Sequence, residues 1–226
     1  MTFVLVHGAW DGAWIWRPVR LRLAAAGADV FTPSVTGSAE RVHLGAPSVG
    51  LSTYIRDVEN VFLYEDLHDV ILVGLSFGGM TVTGVADRIP ERLAHLVYLD
   101  AFVPRNGQAF ADLIRPETLA RFEKQAHSEG DGWAIPPPRD AGPRATLLPL
   151  QAVMERLTLR RGGTEVARTY IRCVLEPDGA FDDAAERAYR EGWGYHELQS
   201  GHNPMQDVPD ELTAILLQIG RAARTA

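Results

Sequence analysis

The chain has 226 residues, of which 46% are hydrophobic and 23% charged, and its formal net charge is −7. This balance is typical of a globular protein with an ample core, in one domain or in one domain that carries an inserted cap. The acidic charge and the scattered lysines and arginines predict no nucleic-acid partner, and no apolar run approaches the length that spans a bilayer, which predicts no membrane partner.

The expected compartment is the cytoplasm. Cys173 is the only cysteine, so an intrachain disulfide is excluded and the chain carries no sign of an oxidising compartment. The first ten residues, MTFVLVHGAW, contain neither a basic n-region nor a small-residue cleavage site. They are therefore interpreted as the start of a strand and not as a signal peptide.

Strands alternate with helices along the chain, a pattern that predicts a parallel sheet covered on both faces. The predicted strands are residues 3–7, 28–33, 69–74, 94–100, 169–176 and 193–199. The predicted helices between and after them span about 14–26, from 52 onward, 76–88 and 208–223. The fold class is therefore α/β, with a mostly parallel sheet of six strands and helices on both faces.

The alternation fails between residues 100 and 169. Helix-like pieces at 116–129 and 150–157 lie on either side of a Pro/Gly-rich stretch, GDGWAIPPPRDAGP. A structureless loop of this length is improbable in a compact domain, so the region predicts an inserted helical cap. We expect a core made of residues 1–101 and 168–226, interrupted by a cap at 102–167.

A serine stands where the third predicted strand gives way to a helix. The segment VILVGLSFGGM contains the pattern G-x-S-x-G, with Ser76 between Gly74 and Gly78. In a nucleophile elbow the serine occupies a tight, strained turn between strand and helix, and small neighbours let the backbone bend. The alternative is a serine that only caps the helix. Strand, pentad and helix together favour a nucleophile.

A serine nucleophile needs a base, and the base needs an acid that orients it. His202, in LQSGHNPM, follows the last core strand and precedes the last helix. That position lies at the same edge of the sheet as Ser76, so His202 is the predicted base. His7, which ends the first strand before a glycine, is instead interpreted as a structural histidine that holds a loop.

The acid has three candidates. The usual chain order, Ser, then Asp or Glu, then His, favours Asp178, which follows the fifth predicted strand. Glu176 lies two residues earlier and competes with it. Asp100 ends the strand after the nucleophile helix, where some hydrolases place their acid. Asp178 is preferred, and the other two remain open.

The reaction also requires two backbone N–H groups that point at the developing oxyanion. One is expected from Phe77, directly after the nucleophile. The second is expected from the glycine-containing loop after the first strand, HGAW, where Ala9 is the predicted donor.

Three segments, FVLVHGAWDGAWIWRPV, VILVGLSFGGM and SGHNPM, resemble the α/β-hydrolase superfamily. The similarity is greatest to the branch of small plant methyl-ester esterases and α-hydroxynitrile lyases, with their bacterial relatives, and it covers most of the chain outside the cap. It implies the α/β-hydrolase fold, the triad Ser76, Asp178 and His202, the oxyanion donors Ala9 and Phe77, and a helical cap over the site. It also implies a site without cofactor or metal, and frequent formation of homodimers.

Two departures from that branch favour ester hydrolysis over lyase chemistry. The lyases carry a threonine where Gly8 stands and a lysine where Asn203 stands, and a neutral Asn203 offers no positive charge to a departing cyanide. Asn203 also differs from the methionine usual in the plant esterases, so methyl esters of plant hormones do not follow. Asp11 replaces the histidine or cysteine common in the first loop, which alters the pocket mouth.

The sequence therefore predicts a serine hydrolase that cleaves a small, largely apolar carboxylic ester or lactone through an acyl-enzyme. Trp10, Phe102, Trp133 and Leu148 are the expected walls of its pocket. Two rival interpretations remain: a hydroxynitrile-lyase-like carbon–carbon lyase on the same scaffold, and a small-ligand receptor that keeps the fold without catalysis.

Overall fold

The computed structural model describes residues 1–175 and 179–224. Its strands are β1 (Thr2–Val6), β2 (Asp29–Phe31), β3 (Val70–Leu75), β4 (Leu93–Leu99), β5 (Ala134–Ile135), β6 (Leu148–Pro149), β7 (Arg168–Cys173) and β8 (Gly194–Leu198). Six of them form one sheet in the order β2-β1-β3-β4-β7-β8, with every neighbouring pair parallel. The predicted six-stranded α/β sheet is confirmed.

The α-helices are α1 (Arg17–Ala25), α2 (Leu51–Tyr64), α3 (Gly78–Arg88), α4 (Pro116–Glu129), α5 (Leu150–Met154), α6 (Asp182–Arg190), α7 (Pro204–Asp207) and α8 (Pro209–Ala223). The first predicted helix is divided, because a 3-10 turn at Ala13–Trp16 precedes α1. The helix after β3 begins two residues later than predicted, since Ser76 has a φ of +54° that no α-helix accepts.

The strands bury both of their faces, as parallel strands between helix layers do. Val4 and Val6 of β1 pack into one apolar cluster, whereas Phe3 and Leu5 pack into a second cluster on the other face. Helices α2, α3 and α6 supply side chains to the first cluster, and α1 and α8 supply them to the second. Alternate side chains of a strand point to opposite faces, so one five-residue strand contributes to two cores.

The region between β4 and β7 folds into α4, the two-stranded antiparallel ribbon β5–β6, and α5. Helix α4 has the predicted bounds, whereas α5 ends three residues before the predicted 157. Phe122 and Ala126 of α4, with Ala152 and Val153 of α5, join the first apolar cluster. Our division into a core at 1–101 and 168–226 and a cap at 102–167 stays a prediction.

Three loops leave the carboxyl edge of the main sheet and carry the chemistry. Ser76 follows β3, Asp100 follows β4, and His202 follows β8. Ligands of open α/β sheets bind outside the carboxyl ends of the strands. In the described part of the chain, none of the helices has both the length and the apolar character that are needed to cross a membrane.

Candidate active site

Ser76 occupies a strained but fully hydrogen-bonded turn. Its φ is +54°, in the left-handed region that non-glycine residues seldom adopt. Its N–H donates to the carbonyl of Leu99 at 3.2 Å, and its carbonyl accepts from the N–H groups of Gly79 at 3.0 Å and Phe102 at 3.2 Å. The loop after β4 therefore holds the strained backbone in place, which is how strain persists at functional turns.

The glycines beside Ser76 are required by close packing. A Cβ on Gly78 would lie 2.7 Å from the carbonyl oxygen of His7, at the end of β1. A Cβ on Gly74 would lie 2.6 Å from Cγ2 of Val82 and 2.8 Å from the carbonyl oxygen of Gly78. Both spacings are shorter than carbon contacts allow, so the turn from β3 into α3 closes only with glycine at both positions. The two glycines of the pentad are therefore needed for the tight turn that holds Ser76 in its strained conformation.

His202 forms a hydrogen bond with a buried carboxylate. Its Nδ1 lies 2.7 Å from Oδ2 of Asp100, whose side chain is 1% exposed. The other carboxylate oxygen, Oδ1, accepts from the N–H of Cys173 at 3.2 Å. The ring of Phe181 stacks on the imidazole, with centroids 4.9 Å apart and planes 12° from parallel. These contacts orient His202 with Nε2 free for another partner.

Asp100 was the third of the predicted acids, and it is the carboxylate that the structure brings to His202. Asp178, the preferred acid, and Glu176 both lie outside the described residues, so their roles stay predictions. The backbone of Asp100 is itself strained, with a φ of +41°. Its N–H donates to the carbonyl of Ile171 at 2.7 Å, which ties this turn to β7.

The predicted oxyanion donors, Ala9 and Phe77, lie next to Ser76. Ala9 borders the same cavity as Ser76, and Phe77 follows Ser76 directly. Neither backbone N–H donates to an acceptor within residues 1–175 and 179–224. Next to Ala9, Trp10 has a φ of +62°, and its indole N–H donates to the carbonyl of Ile135 on β5 at 3.2 Å. The first loop is thus attached to the ribbon between β4 and β7.

His7 is a buried structural histidine, as its position predicted. Its Nε2 accepts from the N–H of Val35 at 3.2 Å, and its Nδ1 lies 2.8 Å from the carbonyl oxygen of Gly8. Burial lowers the pKa of His7 to about 4. The neutral ring with a proton on Nδ1 satisfies both bonds, so His7 shapes the loop that carries Ala9.

A cavity of about 770 Å³ opens beside Ser76. Trp10 and Phe102 line it, as predicted, together with Phe110 and Phe122. Phe102 and Phe110 meet edge to face with ring centroids 4.8 Å apart, and Trp10 meets Phe122 at 5.6 Å. Two pairs of aromatic rings therefore form part of the wall of this cavity, and the sequence interpretation did not name Phe110 or Phe122.

Trp133 and Leu148 do not border this cavity, in contrast to the prediction. Leu148 belongs to β6, pairs with Ile135 and is 3% exposed within the first apolar cluster. The ring of Trp133 lies against Gly45. Leu148 lies in β6 and Trp133 directly precedes β5, and periodicity cannot locate a ribbon whose strands have two residues each.

A second chamber, of about 470 Å³, lies on another side of Ser76. His202, Asn203 and Asp11 border it. Burial raises the pKa of Asp11 to about 6, while the nearby His202 acts in the opposite direction. The Asp11 carboxylate accepts no hydrogen bond from the residues that the structure describes. Over that same part of the chain, no group of three or more His, Cys, Asp and Glu side chains has an arrangement that could hold a metal ion.

Known proteins resemble this chain over nearly its whole length. A family model described as "Alpha/beta hydrolase family" matches residues 3–215. A carbendazim hydrolyzing esterase of Nocardioides sp. (strain SG-4G) is 38% identical over 97% of this chain and 99% of its own length. The putative methylesterase 15, chloroplastic, of Arabidopsis thaliana is 25% identical over 97% of this chain, which spans only 56% of that protein.

A solved structure agrees with these sequence matches. An extracellular alpha/beta-hydrolase from a Paenibacillus species superimposes with a TM-score of 0.84 and is 25% identical, covering 98% of this chain and 99% of its own. That hydrolase is described as sharing structural and functional homology with tobacco salicylic acid binding protein 2.

Proposed function

Because the chain belongs to the alpha/beta hydrolase family, we propose that it hydrolyses a small, largely apolar carboxylic ester or lactone through an acyl-enzyme formed on Ser76. The observation that carries this proposal is the convergence of three loops at one edge of the sheet. They bring the strained Ser76 and the hydrogen-bonded pair of His202 and Asp100 to the same site. Esterase is also the activity in the name of the relative that is 38% identical.

In the proposed reaction, Nε2 of His202 removes the proton of the Ser76 hydroxyl as Oγ attacks the ester carbonyl. Asp100 keeps the imidazole in the tautomer with a proton on Nδ1, and it stabilises the imidazolium that forms. His202 then returns the proton to the leaving alcohol, and water attacks the acyl-enzyme by the same route. No direct hydrogen bond joins Ser76 to His202 among the described contacts, and such bonds often form only in the substrate complex.

The N–H groups of Ala9 and Phe77 are the proposed oxyanion donors. Both lack an acceptor within the described ranges; Ala9 borders the cavity beside Ser76, and Phe77 follows Ser76 directly in the chain. Donors fixed in place before the reaction stabilise the oxyanion without reorganisation, and loss of one such donor costs about 10²- to 10³-fold in kcat.

The residues at positions 8 and 203 support ester hydrolysis over cyanohydrin cleavage. A Cβ on Gly8 would lie 3.1 Å from Cβ of Ser76, so any side chain there would crowd the nucleophile. Asn203 borders the smaller chamber and carries no charge. A charge-assisted hydrogen bond to a departing anion is roughly twice as strong as a neutral one, and Asn203 cannot supply it.

The proposal is tested with p-nitrophenyl butyrate. The wild type should release p-nitrophenol, and protein quenched in acid should gain the mass of one butyryl group on Ser76. Ser76→Ala should fold normally and lose on the order of 10⁴-fold or more in kcat. Undiminished turnover in that variant would refute the nucleophile. Release of cyanide from mandelonitrile well above background would instead favour the lyase.

The cytoplasmic location and the homodimer stay predictions. The lone cysteine, which is buried, supports the location. The resemblance to a branch that often forms dimers supports the assembly. Light scattering coupled to size-exclusion chromatography would measure the mass in solution.

A further inference from the structure

The two chambers meet at the proposed nucleophile. Only Ser76, Ala9 and Trp10 border both the 770 Å³ cavity and the 470 Å³ chamber among the described residues. A carbonyl held between Ser76 and the Ala9 N–H would therefore have one substituent in each chamber. The two halves of an ester would meet different surroundings.

The position of His202 decides which half goes where. His202 borders the smaller chamber and not the larger one. The leaving alcohol oxygen must receive its proton from this imidazole, so it must lie on the side of the smaller chamber. The acyl group then occupies the larger cavity, where Phe102, Phe110 and Phe122 provide aromatic surface among charged side chains such as Arg121.

The smaller chamber has its own charge pattern. Asp11 and Asp140 supply carboxylates, and Arg144 supplies a guanidinium that lies 4.2 Å over the ring of Trp14. Asp140 and Arg144 are exposed, whereas Asp11 is half-buried. Exposed charges are weakened by solvent, so the Asp11 carboxylate dominates the inner part of the chamber.

The Asp11 carboxylate is partly desolvated, and the nearby His202 offsets only part of that effect. It accepts no hydrogen bond from the described chain, and its burial raises its pKa to about 6. A buried carboxylate without a partner is unfavourable, and a donor carried by a ligand would relieve that cost. A leaving group that carries a protonated amine would supply that donor to the Asp11 carboxylate.

We propose that the smaller chamber is the leaving-group subsite, and that Asp11 makes it select alcohols that carry a protonated amine. This inference rests on the proposed ester hydrolysis at Ser76. It names the substrate class of that site: an apolar, aromatic-sized acyl group joined to a short aminoalkyl alcohol.

The experiment uses two esters of the same shape. 2-(Dimethylamino)ethyl phenylacetate carries a protonated nitrogen at pH 7.5, and 3-methylbutyl phenylacetate replaces that nitrogen with CH. The measured quantity is the ratio of kcat/KM for the charged ester to that for the neutral ester. Asp11→Asn should lower this ratio at least tenfold, because it removes the charge and keeps the shape.

Three controls isolate the effect. Asp140→Asn removes the same charge from an exposed position on the same chamber and should move the ratio less than threefold. Arg144→Gln should raise the ratio by about two- to threefold, and it tests the proposal even if Asp11→Asn does not fold. The third control places the charge on the acyl side, as benzyl 4-(dimethylamino)butanoate against benzyl 5-methylhexanoate. There Asp11→Asn should leave the ratio within twofold.

The outcomes separate the two proposals. If wild-type enzyme cleaves the phenylacetates through Ser76 but Asp11→Asn leaves the alcohol-side ratio unchanged, the subsite assignment is wrong and the esterase stands. An equal loss on the charged and neutral esters would mean that Asp11 acts only through His202, which also overturns the assignment. If the wild type forms no acyl-enzyme with p-nitrophenyl butyrate, the proposed function itself fails, and the subsite fails with it.

Discussion

At the scale of single residues, the positions of Ser76 and His202 at one edge of the sheet could be predicted because each has a local signature. A strand, a glycine–serine–glycine pentad and a helix identify an elbow from adjacent letters, and a histidine between the last strand and the last helix can only lie at the same sheet edge. The acid has no such signature. Chain order favours the loop after β7, yet Asp100, after β4, forms the 2.7 Å hydrogen bond with His202.

The physical reason lies in the sheet order. β7 lies between β4 and β8, so the shortest path to His202 starts from the end of β7. Asp100 reaches across because its φ of +41° turns the chain over the end of β7, where the Cys173 N–H donates to its carboxylate at 3.2 Å. Such a turn depends on contacts between distant strands, and one sequence does not reveal it.

We predict that Asp100→Asn lowers kcat on p-nitrophenyl butyrate by about 10⁴-fold, because the amide favours the wrong imidazole tautomer. Glu176→Gln and Asp178→Asn, as matched controls, should stay within about tenfold of the wild type. Thermal unfolding of each variant shows whether a loss reflects misfolding. A far greater loss in Asp178→Asn than in Asp100→Asn would return the acid to the loop after β7.

At the scale of elements, periodicity predicted all six core strands and the bounds of α4. It did not predict the β5–β6 ribbon, whose strands have two residues each. Alternation needs several residues before it becomes visible. Trp133 and Leu148, at this ribbon, do not border the cavity beside Ser76, whereas Trp10 and Phe102 do.

The junction of β3 and α3 gives a prediction about stability. Gly78→Ala should lower the free energy of unfolding by about 1–3 kcal/mol, because the new Cβ would meet the carbonyl oxygens of His7 and Val6 at 2.7 Å and 2.9 Å. Ser76→Ala is the control within the same turn, and it should keep the wild-type value within about 0.5 kcal/mol. Urea unfolding followed by circular dichroism measures both. Equal stability of the two variants would mean that the junction has room for a methyl group.

At the scale of the whole molecule, two buried groups make stability depend on pH in opposite directions. The pKa of His7 is lowered from 6.5 to about 4, so the unfolded chain binds a proton that the folded chain does not in this interval. Stability from His7 is complete above pH 6.5 and is lost as the pH falls toward 4. The pKa of Asp11 is raised from 3.8 to about 6, so here the folded chain binds the additional proton. The stability that Asp11 contributes therefore declines as the pH rises from 3.8 to about 6.

Substitution of one of these two residues should therefore reveal the pH dependence of stability that the other residue produces. The asparagine side chain of the variant Asp11→Asn cannot ionise. The stability of this variant relative to the wild type should therefore increase as the pH rises from about 4 to above 6. A shift from 3.8 to about 6, at about 1.4 kcal/mol for each pKa unit, gives a relative gain of roughly 3 kcal/mol. The variant should therefore show a steeper upward slope than the wild type, because it lacks the opposing contribution of Asp11 while the buried His7 still contributes. Urea unfolding at several pH values between 4.5 and 7.5 measures both curves, with Asp140→Asn as the control that should run parallel to the wild type.

Parallel curves for Asp11→Asn and the wild type would mean that Asp11 is solvated in the folded protein. In that case Asp11 would lack the desolvated carboxylate with which it is proposed to select a cationic alcohol.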